Sequence, residues 1–155
     1  MQRMRWHLKV PAAAMVILAG CGGTENRCVG VNATIATSYS TAPGCTSPVG
    51  VCTAGNVTSE NLKGTTWFSA STTQPGPPPG LDFYTGDLVI TTADGTVTLH
   101  DYGVLNSTSG LYFEVQEVTS GTGAQAGKTG MLVSQGTATA TGFKGTLSGS
   151  FCEMH

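Results

Sequence analysis

The sequence predicts a single all-β domain of antiparallel, mostly up-and-down strands, preceded by an export signal. Three observations predict it. Only 10% of the residues are charged, glycine (22 of 155 residues) and threonine are abundant, and no 3.6-residue apolar periodicity follows the first twenty residues. A helical domain would instead be rich in Ala, Glu, Lys and Leu at helical spacing. With 39% apolar residues, a chain of this length can still bury a core.

The N-terminal residues 1–20 have the composition of an export signal. Residues 1–9 carry Arg3, Arg5 and Lys9 and no acidic residue, and residues 10–19 are apolar apart from Pro11. This apolar run is too short to be a permanent membrane span. We therefore predict that residues 1–20 form a cleaved signal peptide.

The end of this signal resembles the lipobox of bacterial lipoproteins. Leu18, Ala19, Gly20 and Cys21 give an aliphatic residue, two small residues and the cysteine that receives the lipid. The resemblance implies lipidation of Cys21, with palmitate-type acyl chains anchoring the protein in the bacterial cell envelope. Gly22 stands where many inner-membrane lipoproteins have Asp, which favours the outer membrane in a host that has one. The competing interpretation is an ordinary secretory signal followed by a structural cysteine.

The charge balance bears on partners and cofactors. All charges in residues 1–20 are basic, so the exported part is more acidic than the whole chain, whose net charge is −2. Such a surface does not favour nucleic acid, so membrane contact is predicted through the lipid anchor alone. The segment Gly121–Thr129 contains Gly-Lys-Thr but lacks the spacing and the following helix of a phosphate loop. We predict no nucleic-acid partner and no cofactor; the oligomeric state stays open.

Four further cysteines predict two disulfides in the exported domain. They are Cys28, Cys45, Cys52 and Cys152. An even number in an exported chain is typical of a disulfide framework, and four cysteines allow three pairings. A metal site is disfavoured because no Cys-x-x-Cys occurs and only His100 and His155 follow the signal.

After a short tether at residues 21–28, the region 29–155 reads as strands separated by turns. Ala93-Asp94-Gly95 is typical of a hairpin turn, and the prolines of Gln74–Gly80 indicate a surface loop. The predicted strands are Val31–Tyr39, Cys52–Ser59, Gly64–Thr72, Tyr84–Thr92, Thr96–Leu105, Leu111–Val118, Met131–Thr139 and Phe143–Phe151. A meander with one apolar face must pack on another sheet or close on itself. Closure removes exposed strand edges and would place Phe143–Phe151 beside an early strand.

Several motifs resemble the bacterial branch of the allene-oxide-cyclase-barrel-like superfamily, to which plant dirigent proteins also belong. They are S-P-V-G-x-C-T-x-G at Ser47–Gly55, G-x-L-x-I-T-T-x-D-G-T at Gly86–Thr96, D-x-G-V at Asp101–Val104, G-T-G-x-x-A-G-x-T-G at Gly121–Gly130 and F-x-G-x-L-S-G-x-x-C at Phe143–Cys152. The resemblance implies a single antiparallel eight-stranded β-barrel with an apolar interior. The motifs consist mostly of turn and packing residues, so they indicate fold rather than activity. No catalytic residue of that superfamily is carried over to this chain.

The best candidates for a pocket are two carboxylates on neighbouring predicted strands. Asp101 shares its strand face with the apolar residues Val97 and Leu99, which predicts that it points inward. On the next strand, Glu117 shares its face with Leu111, Phe113 and Val115. Glu117 is therefore predicted to point inward, and Glu114 and Gln116 outward. The alternative is that both carboxylates lie at a rim, in contact with solvent or backbone.

Two functions are consistent with this pattern. The favoured one is a membrane-anchored, non-enzymatic barrel that binds a small apolar ligand or another envelope component. The alternative is a cyclase- or dirigent-like enzyme that shapes a reactive intermediate inside the barrel. Asp101 and Glu117 would be its polar groups. The ligand is not specified by the sequence.

Overall fold

The protein is an eight-stranded all-β domain, described by a computed structural model over residues 27–153. A one-turn 3₁₀-helix, Gly123–Gln125, is its only helical element in that range, and no helix there is long and apolar enough to cross a membrane. The predicted signal peptide and Cys21 lie outside the described residues. The strands are β1 Arg27–Tyr39, β2 Cys52–Thr58, β3 Lys63–Pro75, β4 Leu81–Thr92, β5 Gly95–Asn106, β6 Leu111–Gly121, β7 Lys128–Thr139 and β8 Gly142–Glu153.

The strands form one closed antiparallel barrel in chain order. Each strand pairs with its successor, and β8 pairs with β1 from Arg27 opposite Glu153 to Ser38 opposite Gly142. Closure pairs the first and last strands, which removes the two free edges that an open sheet would have. The short β2 pairs only with Thr34–Tyr39 of β1 and Lys63–Ser69 of β3. The predicted up-and-down barrel is confirmed, including the return of the last strand to an early one.

Two disulfides brace the barrel. Cys28 is bonded to Cys152 across the β1–β8 seam, and Cys45 is bonded to Cys52 across the loop before β2. The prediction of two disulfides is confirmed, and the structure chooses among the three pairings. The first bridge joins residues 124 apart in sequence and the second joins residues 7 apart.

An apolar core fills the end of the barrel at which β1 begins. Leu62, in the loop between β2 and β3, is only 3% exposed and contributes to this core. The other core residues here include Val31, Val57, Ile90, Val97, Leu99, Leu132, Leu147 and Phe151. Burying an aliphatic side chain of this size contributes roughly 1.5–3 kcal/mol. We call this the closed end.

The predicted facing of β6 is wrong. Leu111 (61% exposed) and Phe113 (43% exposed) lie on the outer surface, while Tyr112, Gln116 and Val118 are buried. The reason is the register with β5, because directly opposed residues share a sheet face. Leu99 and Asp101, both buried, stand opposite Val118 and Gln116. The β5–β6 register therefore overrides the apolar alternation of β6 considered alone.

Candidate functional site

The end opposite the closed end opens through an apolar mouth. The mouth encloses about 300 Å³ and is lined by Tyr39, Val51, Phe68, Ala70, Thr73, Asp82, Tyr84, Leu105 and Phe143. These residues come from the ends of β1, β3 and β5, from the starts of β4 and β8, and from the loop before β2. The loop is tied down by the Cys45–Cys52 disulfide and by a 2.6 Å hydrogen bond from Ser47 Oγ to the Ala70 carbonyl.

A smaller polar chamber lies beneath the mouth. It has a volume of about 40 Å³ and shares Phe68, Tyr84 and Phe143 with the mouth. Its polar lining consists of Thr37, Thr53, Tyr84, Asp101, Tyr112, Glu114, Gln116 and Ser134. The barrel interior is thus apolar at the closed end. At the other end hydrogen-bonding side chains surround a small chamber whose accessible walls are still mostly apolar.

Glycine at position 103 determines how Tyr84 enters the chamber. Gly103 on β5 stands opposite both Tyr84 on β4 and Glu114 on β6. Any Cβ on Gly103 would collide with the Tyr84 ring. The ring therefore crosses β5 over the glycine, and the Tyr84 hydroxyl donates a 2.7 Å hydrogen bond to Glu114 Oε1.

Gln116 joins the two inward-facing carboxyl groups. Its amide nitrogen Nε2 donates to Asp101 Oδ2 at 3.0 Å and to Glu114 Oε2 at 3.3 Å. The two acceptor oxygens can therefore be no more than 6.3 Å apart. Ser134 Oγ lies 3.3 Å from the Tyr112 hydroxyl on the same side of the chamber. The result is a connected network of carboxyl, amide and phenol groups.

The network favours protonated acids. Burial raises the pKa of Asp101 well above its ordinary value, and the nearby Glu114 raises it further, although the Gln116 hydrogen bond acts in the opposite direction. Burial also raises the pKa of Glu114, against the hydrogen bonds of Tyr84 and Ser134. Desolvation disfavours the charged form of each carboxyl, and two anions this close repel each other. For the same reasons the pKa of Tyr84 is raised, so this phenol stays a donor.

Two acceptor atoms of the network are left without a partner. Within residues 27–153, Asp101 Oδ1 and Gln116 Oε1 are buried and make no hydrogen bond, although Asp101 is 1% and Gln116 0% exposed. A buried, unpaired polar atom costs roughly 1–3 kcal/mol. Both residues line the chamber, although the two oxygens themselves are covered by neighbouring atoms. The described residues contain no cluster of three His, Cys, Asp or Glu side chains suited to a metal ion.

One of the two predicted pocket carboxylates lies in the site and the other does not. Asp101 faces inward, as predicted. Glu117 is exposed on the outside, opposite His100, so its predicted inward orientation is wrong. Its place is taken by Glu114, which the sequence argument placed outside with Gln116. The sequence signal for this face is that Tyr112 and Val118 have the same parity as Glu114 and Gln116.

Comparison with known proteins gives no match: no protein-family model, no curated protein and no solved structure is significantly similar to this chain. The resemblance to the allene-oxide-cyclase-barrel-like superfamily therefore stays a prediction. The geometry of the site carries the functional argument below.

Proposed function

We propose that this protein is a membrane-anchored, exported barrel that binds a small, mainly apolar ligand in its open end. The observation that carries the proposal is the mouth of about 300 Å³ leading to a polar chamber. Small-molecule sites characteristically combine an apolar wall of this size with a few convergent polar groups. The apolar body of the ligand would fill the mouth, and its polar end would reach the chamber.

Aromatic side chains give the mouth and chamber a defined shape. The rings of Tyr39 and Phe143 pack edge-to-face at 5.6 Å between centroids, and those of Tyr112 and Phe143 at 5.4 Å. Phe68 and Tyr84 form a further edge-to-face pair at 6.3 Å. Rigid rings offer a large contact area with little loss of side-chain entropy on binding.

A neutral fluorescent probe, N-phenyl-1-naphthylamine, tests the proposal on the purified chain lacking residues 1–20. We expect saturable fluorescence enhancement with one site per chain. Thr73→Trp, at the mouth, should weaken binding at least tenfold. Thr65→Trp is the matched control, since Thr65 is an exposed threonine of the same strand that does not line the mouth. Absence of saturable binding, or equal binding by both variants, would remove the mouth as the binding site.

Export and lipidation are part of the same proposal. The lipobox ending at Cys21 supports them, as do the two disulfides, which are typical of oxidising compartments. Because β1 enters the barrel at the closed end, a lipid at Cys21 would leave the mouth on the far side from the anchor. In bacteria fed an alkyne-labelled palmitate, the wild type should incorporate label and Cys21→Ser should not. Label retained by Cys21→Ser would refute lipidation at this residue.

The second candidate function is a cyclase- or dirigent-like isomerase. It is favoured by the carboxyl groups of Asp101 and Glu114 beside the Tyr84 hydroxyl, because neutral acids in a small chamber can donate protons to a reactive intermediate. An allene oxide that cyclises spontaneously to a racemic product is the test substrate. Enantiomeric excess with the wild type, lost in Glu114→Gln, would support the isomerase. A racemic product would leave the protein a binding module only.

A further inference from the structure

We infer that the open end of the barrel selects an organic ammonium ion, with the ammonium group in the polar chamber and the apolar body in the mouth. The inference rests on the proposed binding function and specifies the class of its ligand. Four independent observations support it: the charges lining the site, two unpaired acceptors, the size of the chamber and the aromatic rings around it.

The first observation is the sign of the charge. Asp101 and Glu114 line the chamber and Asp82 lines the mouth, whereas none of the lysine, arginine or histidine residues of the described chain lines either. A carboxylate or phosphate ligand would meet buried acids without any compensating cation. An ammonium ion would supply the cation that these acids lack. Its charge would stabilise their ionised form.

The second observation is the hydrogen-bonding capacity left over. When Asp101 is ionised, its Oδ1 and Gln116 Oε1 are acceptors that find no donor among residues 27–153. An ammonium group has three donors and no acceptor. It therefore carries enough donors for both atoms and for one oxygen of Glu114. A neutral ligand such as an alcohol has one donor, so it leaves at least one of the two acceptors unpaired.

The third and fourth observations concern shape. The chamber of about 40 Å³ holds two or three groups the size of a water molecule, which suits an ammonium or aminomethyl group. Phe68, Tyr84, Tyr112 and Phe143 surround it. Aromatic faces attract desolvated cations electrostatically, so these rings favour an ammonium ion over an uncharged group of equal size.

The binding of an ammonium ion should depend on pH in a defined direction. The titratable groups facing the chamber are Tyr84 from β4, Asp101 from β5, and Tyr112 and Glu114 from β6, with Tyr39 and Asp82 at the mouth. Because burial raises the pKa of Asp101 and of Glu114, a bound ammonium must displace a proton at low pH. Affinity should therefore rise with pH, by up to about tenfold per pH unit for each proton released. It should fall again when the amine itself loses its proton, near about pH 10.

The experiment compares three ligands by calorimetry. 2-Phenylethylammonium and 2-phenylethanol have the same shape, and 3-phenylpropanoate carries a carboxylate that is larger by two non-hydrogen atoms. We expect the ammonium ion to bind about ten- to hundredfold tighter than the alcohol at pH 8, the range expected for hydrogen bonds to a charged group. The carboxylate should bind weakest. Glu114→Gln and Asp101→Asn should each remove most of the ammonium advantage, measured as the ratio of the ammonium and alcohol affinities within the same variant. Glu117→Gln is the matched control, because Glu117 lies on the same strand but outside the barrel.

The outcomes separate this inference from the proposed function. If the alcohol or the carboxylate binds as tightly as the ammonium ion, or if Glu117→Gln has the same effect as Glu114→Gln, the ammonium inference is overturned and the binding function stands. If none of the three ligands binds but N-phenyl-1-naphthylamine does, the ammonium inference is again overturned and the binding function stands. If the naphthylamine fails to bind as well, both proposals fall.

Discussion

The substitution Asp101→Asn should stabilise the free protein at neutral pH and flatten the dependence of its stability on pH. Asn has nearly the shape of a protonated Asp and cannot ionise. Its amide can donate to Gln116 Oε1, which is unpaired in the wild type, after the Gln116 amide rotates. Replacing a buried polar residue usually destabilises a protein. Here the substitution is expected to stabilise it, because it removes a buried group that can ionise.

The magnitude follows from proton linkage. Because the pKa of Asp101 is raised in the folded state, the folded protein binds more protons than the unfolded chain above the ordinary value of 3.8. The contribution of the Asp101 carboxyl to the free energy of unfolding is fully present below pH 3.8. It falls as the pH rises towards the pKa of Asp101 in the folded protein. The slope is at most about 1.4 kcal/mol per pH unit for one carboxyl. The pKa of Glu114 is also raised, so Glu114 causes a further loss of stability as the pH rises above its ordinary pKa of 4.5.

Urea unfolding of the oxidised protein between pH 4 and pH 8 measures the effect. The difference in unfolding free energy between Asp101→Asn and the wild type should grow with pH and then level off. Asp94→Asn is the matched control because Asp94 is an exposed aspartate in the β4–β5 turn; it should stay within about 0.5 kcal/mol of the wild type. Parallel wild-type and Asp101→Asn profiles would show that the buried carboxyl ionises as it does in the unfolded chain, and would refute the electrostatic reasoning.

Three further predictions concern the scaffold. Replacing both cysteines of the Cys28–Cys152 disulfide by serine should lower the free energy of unfolding in urea by about 5 kcal/mol, and the same change at Cys45–Cys52 by about 2.5 kcal/mol. The difference is expected because the two disulfides close loops of 124 and 7 residues. Equal losses would contradict the chain-entropy explanation. Leu147→Ala should cost about 2–5 kcal/mol because the side chain is fully buried, whereas Leu111→Ala, at an exposed position, should cost less than about 1 kcal/mol; the opposite order of thermal midpoints would mean that the sheet faces are inverted. Gly103→Ala should cost about 1–3 kcal/mol and weaken N-phenyl-1-naphthylamine binding, because the new methyl group displaces the tyrosine ring that crosses it; unchanged affinity would show that this ring does not shape the site.

Features of the fold that depend on local patterns are predictable from the sequence. The strand positions and the inward face of β5 follow from alternation and turn residues that act over a few positions. The predicted surface loop at Gln74–Gly80 is confirmed for residues 76–80 only, because Gln74 and Pro75 continue β3 and pair with β4. The barrel closure was predicted because a one-faced meander has to bury that face and protect its edges. The structure extends most strands by one to four residues, as at β1, which begins at Arg27 instead of Val31.

The face of β6 was predicted wrongly because a local pattern there competes with strand register. On β6, three apolar residues, Leu111, Phe113 and Val115, alternate with Tyr112, Glu114 and Gln116, and hydrophobicity alone puts the first set inside. The partner strand reverses this choice, because one residue of slip exchanges the faces of a whole strand. The error moved Glu114 and Gln116 out of the predicted site and Glu117 into it.

Residue order alone therefore decided the class of fold, the number and approximate bounds of the strands, the existence of two disulfides and the inward position of Asp101, because each depends on alternation, turn chemistry or composition within a short window. The packed barrel decided the disulfide pairing, the face of β6 and the assembly of Tyr84, Asp101, Glu114 and Gln116 around one chamber. These features depend on which residues stand opposite one another across strands, and the pairing between strands is settled only when the whole sheet closes.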